Sequence, residues 1–315
     1  MNTFTSYLPS VFIVLVLALL PPCLRAQPVD EESAPKLLAL IIGNSTYNSA
    51  AGQLAGPDND AADMAAVLNK IGFKISNKGN ITNLDRKSMF DALDKFIDEV
   101  DEDTIALVYY SGHGLEDAHK NFLVPVDANI KSVGDIALQL VPLDWIMERL
   151  GQREARTKLV ILDACRSMPT GLYKKLGDSS GLAQITKLRP GTRVIYSASP
   201  TFPSLAAGPG ERNSIYTASL LKAIKERHLT FEAILNRASA LTYKATNKQQ
   251  YPWSSGNQMD FNIDVGLANN PLSQKPDTQL AAKKVIAPRA KNGACVEISE
   301  QLIVNGVATW TKKCI

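Results

Sequence analysis

The sequence predicts an α/β protein, a three-layer αβα fold around a mostly parallel sheet, and three observations carry that prediction. Short, nearly continuous apolar runs recur at 37–43 (LLALIIG), 104–112 (TIALVYYSG), 157–164 (TKLVILDA) and 192–198 (TRVIYSA). Each suits a strand buried on both faces. Amphipathic helical patterns alternate with these runs, as βαβ crossovers require. The chain has 315 residues, 45% of them hydrophobic and 21% charged, enough to bury a substantial core.

The elements follow in order. The apolar run 11–20 is too short to span a bilayer and stops at Pro21-Pro22, so residues 1–26 read as an export signal cleaved after Ala26. An uncleaved N-terminal anchor is the alternative, and Pro22 disfavours lipidation at Cys23. The mature protein is then expected in a periplasmic or secreted location. Residues 35–265 form the α/β domain. Its helices are read from Met64, Val67, Leu68 and Ile71 after Asp58-Asn59, and from Phe90, Leu93, Ile97 and Val100 after Asn83 and Asp85. Further helices carry Trp145, Ile146 and Leu150, then Leu220, Leu221 and Ile224, then Phe231, Ile234, Leu235 and Ala238. Residues 266–293 are rich in Pro, Ala, Lys and Gln and read as a linker. Residues 294–315 read as a β-hairpin turning at Asn305-Gly306.

Charge excludes one class of partner. The 34 basic and 31 acidic residues are spread along the chain without a basic stripe, so no nucleic-acid partner is expected. No membrane contact is expected beyond the possible N-terminal anchor.

Cysteine usage raises the functional question. After signal removal three cysteines remain, Cys165, Cys295 and Cys314. Cys295 and Cys314 flank the hairpin and are expected to pair in an oxidising compartment, a crosslink contributing about 3 kcal/mol. Cys165 is left over. It is either a buried, inert thiol or one kept for its reactivity.

Its position favours chemistry. In open α/β sheets ligands bind beyond the carboxyl ends of the strands. One strand runs into Tyr110-Ser111-Gly112-His113-Gly114 and another into Asp163-Ala164-Cys165-Arg166, so neighbouring strands would bring His113 and Cys165 to one edge. An imidazole in reach of a thiol can take its proton and later protonate a leaving amine. The N–H of Gly114, with that of Cys165, is suited to hold the oxyanion of a tetrahedral intermediate. His119 and His228 lie at no strand end and read as surface residues; Arg166 reads as exposed or structurally paired.

At these residues the chain resembles the caspase, metacaspase and paracaspase superfamily. ALIIGN at the first strand, YYSGHG, DACR and NSIYTASLL carry the resemblance over about residues 36–260, and GLA (181–183) and QYPW (250–253) are similar to its bacterial branch. His113 and Cys165 are 52 positions apart, in the order and spacing of caspases. The resemblance implies a caspase-like cysteine endopeptidase with Cys165 as nucleophile, His113 as base and Gly114 as oxyanion donor. Caspases place Gln two positions before the nucleophile; here stands Asp163, as in the metacaspases and paracaspases that cleave after Arg or Lys. A desolvated carboxylate repels an acidic side chain and pairs with a guanidinium, so charge points the same way.

Asp60 aligns with a second pocket acid of arginine-specific relatives, with helix capping as its bland alternative. Ser197 and Ser199 resemble the segment whose backbone pairs with an extended substrate. Substrates are thus expected to be proteins or peptides with basic residues. Lys174, Lys175, Lys187 and Arg189 in the loop after Cys165 make self-processing an option. Many metacaspases use calcium. Asp127 matches one ligand position, but Val141-Pro142-Leu143 replaces the paired acids, leaving Asp144, so no cofactor is expected. Two other classes of function fit the same motifs: a catalytically silent binding scaffold, and a transpeptidase or ligase using the same two residues.

Overall fold

The computed structural model describes residues 35–48, 52–165, 182–185, 188–200, 204–226 and 230–256; of Cys165 and of the strands within 297–304 and 307–314 it describes the backbone alone. The expected signal, the linker, the loop 166–181, Cys295 and His228 lie outside these residues.

All four apolar runs are strands: β1 (Lys36–Gly43), β4 (Thr104–Asp117), β7 (Thr157–Cys165) and β8 (Thr192–Tyr196). They lie side by side and parallel in the order β1-β4-β7-β8. Short strands complete the sheet. β2 (Lys74–Ile75) and β3 (Ile81–Thr82) pair with β1, and β9 (Trp253–Gly256) closes the far edge antiparallel to β8. The end of β4 leaves the main sheet to pair with β5 (Lys120–Leu123), which in turn pairs with β6 (Val141–Pro142).

The period of two along each strand fills two cores, one on each face. Ile41, Tyr109, Ile161 and Ile195 face α1 (Pro57–Lys70), α5 (Ile215–Ile224) and α6 (Phe231–Ala245), where Met64, Leu220 and Ile234 meet them. Leu40, Val108, Val160 and Val194 face α2 (Arg86–Asp98) and α4 (Leu143–Gln152), where Phe96 and Ile146 meet them. The predicted three layers are present. A one-turn helix, α3 (Gly134–Gln139), was not legible because only Ile136 of it is buried.

Helix starts obey local chemistry. The Asp85 carboxylate caps α2 by accepting from Ser88 N–H, and the Ser214 hydroxyl caps α5 by accepting from Thr217 N–H. Gly43 ends β1 under α1; a Cβ there would sit 2.3 Å from the Pro57 carbonyl oxygen, so the strand-to-helix approach excludes any side chain.

A separate unit holds the expected hairpin. β10 (Glu297–Val304) and β11 (Val307–Cys314) pair antiparallel from Glu297↔Cys314 to Val304↔Val307. Among the described residues no helix is long and apolar enough to cross a membrane.

Candidate active site

The β4–β7 register decides the first question: His113 and Cys165 are backbone partners on adjacent parallel strands. Neighbouring strands lie about 4.8 Å apart, so the two positions meet at the carboxyl edge of the sheet. The sequence expectation was conditional on β4 and β7 being neighbours, and they are.

His113 is 3% exposed and held from several directions. Its Nε2 lies 3.1 Å from the carbonyl oxygen of Gly52. A carbonyl only accepts, so this nitrogen carries the proton and Nδ1 carries the lone pair. The His113 backbone N–H donates to the Tyr47 hydroxyl at 2.7 Å, and the Tyr47 ring lies against the imidazole at 4.5 Å between centroids. The Tyr110 hydroxyl is within 2.8 Å of the His113 carbonyl. Gly112 is required by space: an added Cβ would come within 2.6 Å of the Tyr110 hydroxyl and 2.7 Å of that of Tyr47.

The neighbouring glycine is placed by strand pairing. Val124 N–H donates to the His113 carbonyl, and Gly114 pairs with Leu123. Antiparallel pairs alternate between bonded and non-bonded, so Gly114–Leu123 is of the non-bonded kind and the Gly114 N–H is directed away from β5.

Two residues before Cys165, and beside Ser111 in the register, stands Asp163, 6% exposed. Asp60 on α1 is fully buried. It does not cap its helix: its carboxylate accepts from Ser111 Oγ at 3.0 Å and from Ser214 N–H at 3.0 Å. The Ser214 hydroxyl donates to Asp163, as does that of Thr217 at 2.7 Å, and Ser204 approaches its other oxygen at 3.3 Å. Among the described residues no basic side chain pairs with either acid. Burial, and then the nearby Asp163, pushes the Asp60 carboxyl up to about 7, and burial raises Asp163 as well.

These acids line one recess with Leu54, Ala55, Pro57 and Ser204–Ala206, whose free volume of about 20 Å³ holds little more than a water. A larger open groove of about 780 Å³, lined by Asp144, Met147 and Ile185 among others, lies on the α4 side, and neither His113 nor Asp163 lines it.

Ser197, expected on the substrate-pairing segment, is fully buried. Its N–H donates to the Leu162 carbonyl, its carbonyl accepts from Gln250 and its hydroxyl bonds that of Ser204, so it supports the recess from behind. Ser199 is half-buried at the end of the same segment. Gln250, fully buried, also accepts from Leu205 N–H and fixes the wall of the recess. Tyr47, Gly52 and Ser204 were not singled out in the sequence; Ser214 and Thr217 lie in NSIYTASLL and Gln250 in QYPW, quoted without a role, and Ser214 had a local signal as a cap three residues before Thr217.

Asp127 does not stand free for calcium: its carboxylate accepts from Arg86 N–H at 3.0 Å where α2 begins. Among the described residues no group of three or more His, Cys, Asp or Glu side chains gathers. The described residues gather no ligand set for calcium around Asp127, and no step below uses one. His119 is exposed, as expected.

Among curated proteins the chain is similar to the human mucosa-associated lymphoid tissue lymphoma translocation protein 1, 29% identical over 144 residues, which are 45% of this chain and 16% of the human protein. It is similar to the mouse homolog at 30% over 131 residues, 41% of this chain and 15% of that protein. The chain therefore spans less than a fifth of the length of either relative. The family model described as the caspase domain matches residues 36–263, most of the chain and all of the main sheet, and on that match this chain belongs to the caspase domain family of peptidases.

Proposed function

We propose that this chain is a cysteine endopeptidase that cleaves after arginine or lysine. The observation that carries the reading is the β4–β7 register, which pairs His113 with Cys165 two residues beyond buried Asp163 and Ser111, the latter bonded to buried Asp60. The Nδ1 lone pair takes the Cys165 proton while the Gly52 carbonyl steadies the opposite nitrogen. The thiolate attacks the scissile carbonyl, and its oxyanion is received by the N–H groups of Gly114 and Cys165. Imidazolium then protonates the leaving amine, and water hydrolyses the thioester by the same proton path. Asp163 and Asp60 take the basic side chain, and the backbone around Ser199 pairs with the extended substrate.

The recess must widen to admit that side chain. Export belongs to the same proposal and rests on the apolar run 11–20. Peptides carrying a fluorogenic leaving group after Arg, Lys or Asp test the reading. Arg and Lys peptides are expected to be cleaved, and the Asp peptide at least about 100-fold less efficiently. Cleavage after Asp, or of none, would overturn it. Intact masses of the wild type and the Cys165→Ala chain report self-processing in the same preparations.

A further inference from the structure

The two pocket acids are joined in a way that the basic-residue reading does not require. Ser214 touches both: its backbone N–H donates to Asp60 and its side-chain hydroxyl to Asp163. Thr217, one turn into α5, gives its hydroxyl proton to Asp163, so Tyr109 must be the donor in its own contact with Thr217. Every polar group described against the two carboxylates is thus an uncharged hydroxyl or amide. Arg212, two residues before Ser214, is itself paired with Asp63 at 2.8 Å. Among the described residues, Tyr109 on β4 and Tyr216 on α5 also neighbour these acids, and they are buried phenols whose ionisation burial suppresses.

Two carboxylates sharing one residue as donor, both buried and with no cation among the described residues against them, cannot both be ionised at little cost. We infer that Ser214 is the positioning residue of the specificity pocket: it holds Asp60 and Asp163 around a single shared proton, which an arriving arginine or lysine side chain displaces. The step balances. The empty pocket carries one proton and one negative charge; the filled pocket carries two carboxylates and the substrate cation, and the proton leaves to solvent. The upward shift of both carboxyls agrees with this arrangement, and so does a recess too small to keep a hydrated cation.

The inference rests on the basic-residue reading and adds to it a direction with pH. Below neutrality the incoming cation must displace the proton, so binding weakens; above it the pocket is already doubly charged, so binding levels off. Calorimetric titration of the full-length Cys165→Ala chain with an acetylated tripeptide amide ending in Arg measures this without cleavage. Repeating it in buffers of different ionisation enthalpy counts protons. Affinity is expected to be about tenfold weaker at pH 6 than at pH 8, with about one proton released per peptide at pH 6 and almost none at pH 8.5. The same peptide ending in citrulline, neutral but of similar shape, should show neither effect and registers any proton moved elsewhere, including at His113.

Adding Ser214→Ala should move the midpoint up by about one pH unit, because the hydroxyl that stabilises ionised Asp163 is gone. Ser214→Thr should restore it. A residue that only capped α5 would lower the melting temperature and leave the midpoint in place. Thr217→Val removes the other hydroxyl donor without touching the cap residue and should move the midpoint the same way. Tight Arg binding that is flat with pH and releases no proton overturns this inference and leaves the basic specificity standing. Arg binding no tighter than citrulline overturns the basic-residue reading itself.

Discussion

Replacing Cys165 by alanine is expected to lower kcat for an Arg peptide by about 10⁴-fold or more, with the circular dichroism spectrum and melting temperature close to wild type. The side chain removed is small and stands at the end of β7, where the strand leaves the sheet, so the backbone pairing with β4 survives. His113→Ala is expected to cost a similar factor, and the double variant no more than either alone, because the two groups act as one unit. Simple addition of the two losses, measured as kcat/KM, would contradict a shared proton path. The support of His113 matters to the magnitude. Its backbone N–H on Tyr47 and its Nε2 on Gly52 hold the ring in one tautomer, and an imidazole in the wrong tautomer cannot accept the thiol proton.

Asp163→Asn is expected to reduce kcat/KM for Arg peptides by about 10² to 10³-fold, mostly through KM. The amide is the same size as the carboxylate, so the hydroxyls of Ser214 and Thr217 keep an acceptor, while the charge that offsets a buried guanidinium is gone. A citrulline peptide run in parallel separates loss of charge from loss of shape. Equal falls for both peptides would place the defect in folding or in the nearby Cys165, and would count against Asp163 as the selector of charge.

The sequence made the sheet legible and left the pocket largely hidden, for physical reasons. Parallel strands buried on both faces must be apolar along their whole length, and the four runs that form β1, β4, β7 and β8 are. The length of β4 was underestimated, since the apolar run stops at Gly112; in the fold His113 to Asp117 stay extended because β5 supplies a new partner as β7 ends. β9, which begins at the last residue of QYPW, was missed because four residues at an edge, partly exposed, carry little pattern. His113, Cys165 and Asp163 were readable because each stands beside or just beyond an apolar run.

The rest of the site is non-local. Gly52 contributes a carbonyl that any residue has, and Ser204, Ser214, Thr217 and Gln250 reach Asp163 or Ser197 from 41 to 54 positions away. Asp60 looked like a helix-start acid because it is one; only the fold turns its carboxylate inward to Ser111 and Ser214.

The central claim is that one thiol, one imidazole and two acids act on a single basic residue. A crystal structure of the protein with a peptidyl-arginine aldehyde tests it most directly. The account predicts a covalent bond from Cys165 Sγ to the aldehyde carbon and His113 Nδ1 within about 3.5 Å of that sulfur, with the guanidinium between Asp60 and Asp163. An aldehyde left unbonded to Cys165, or an arginine side chain lying in solvent away from both acids, would contradict it.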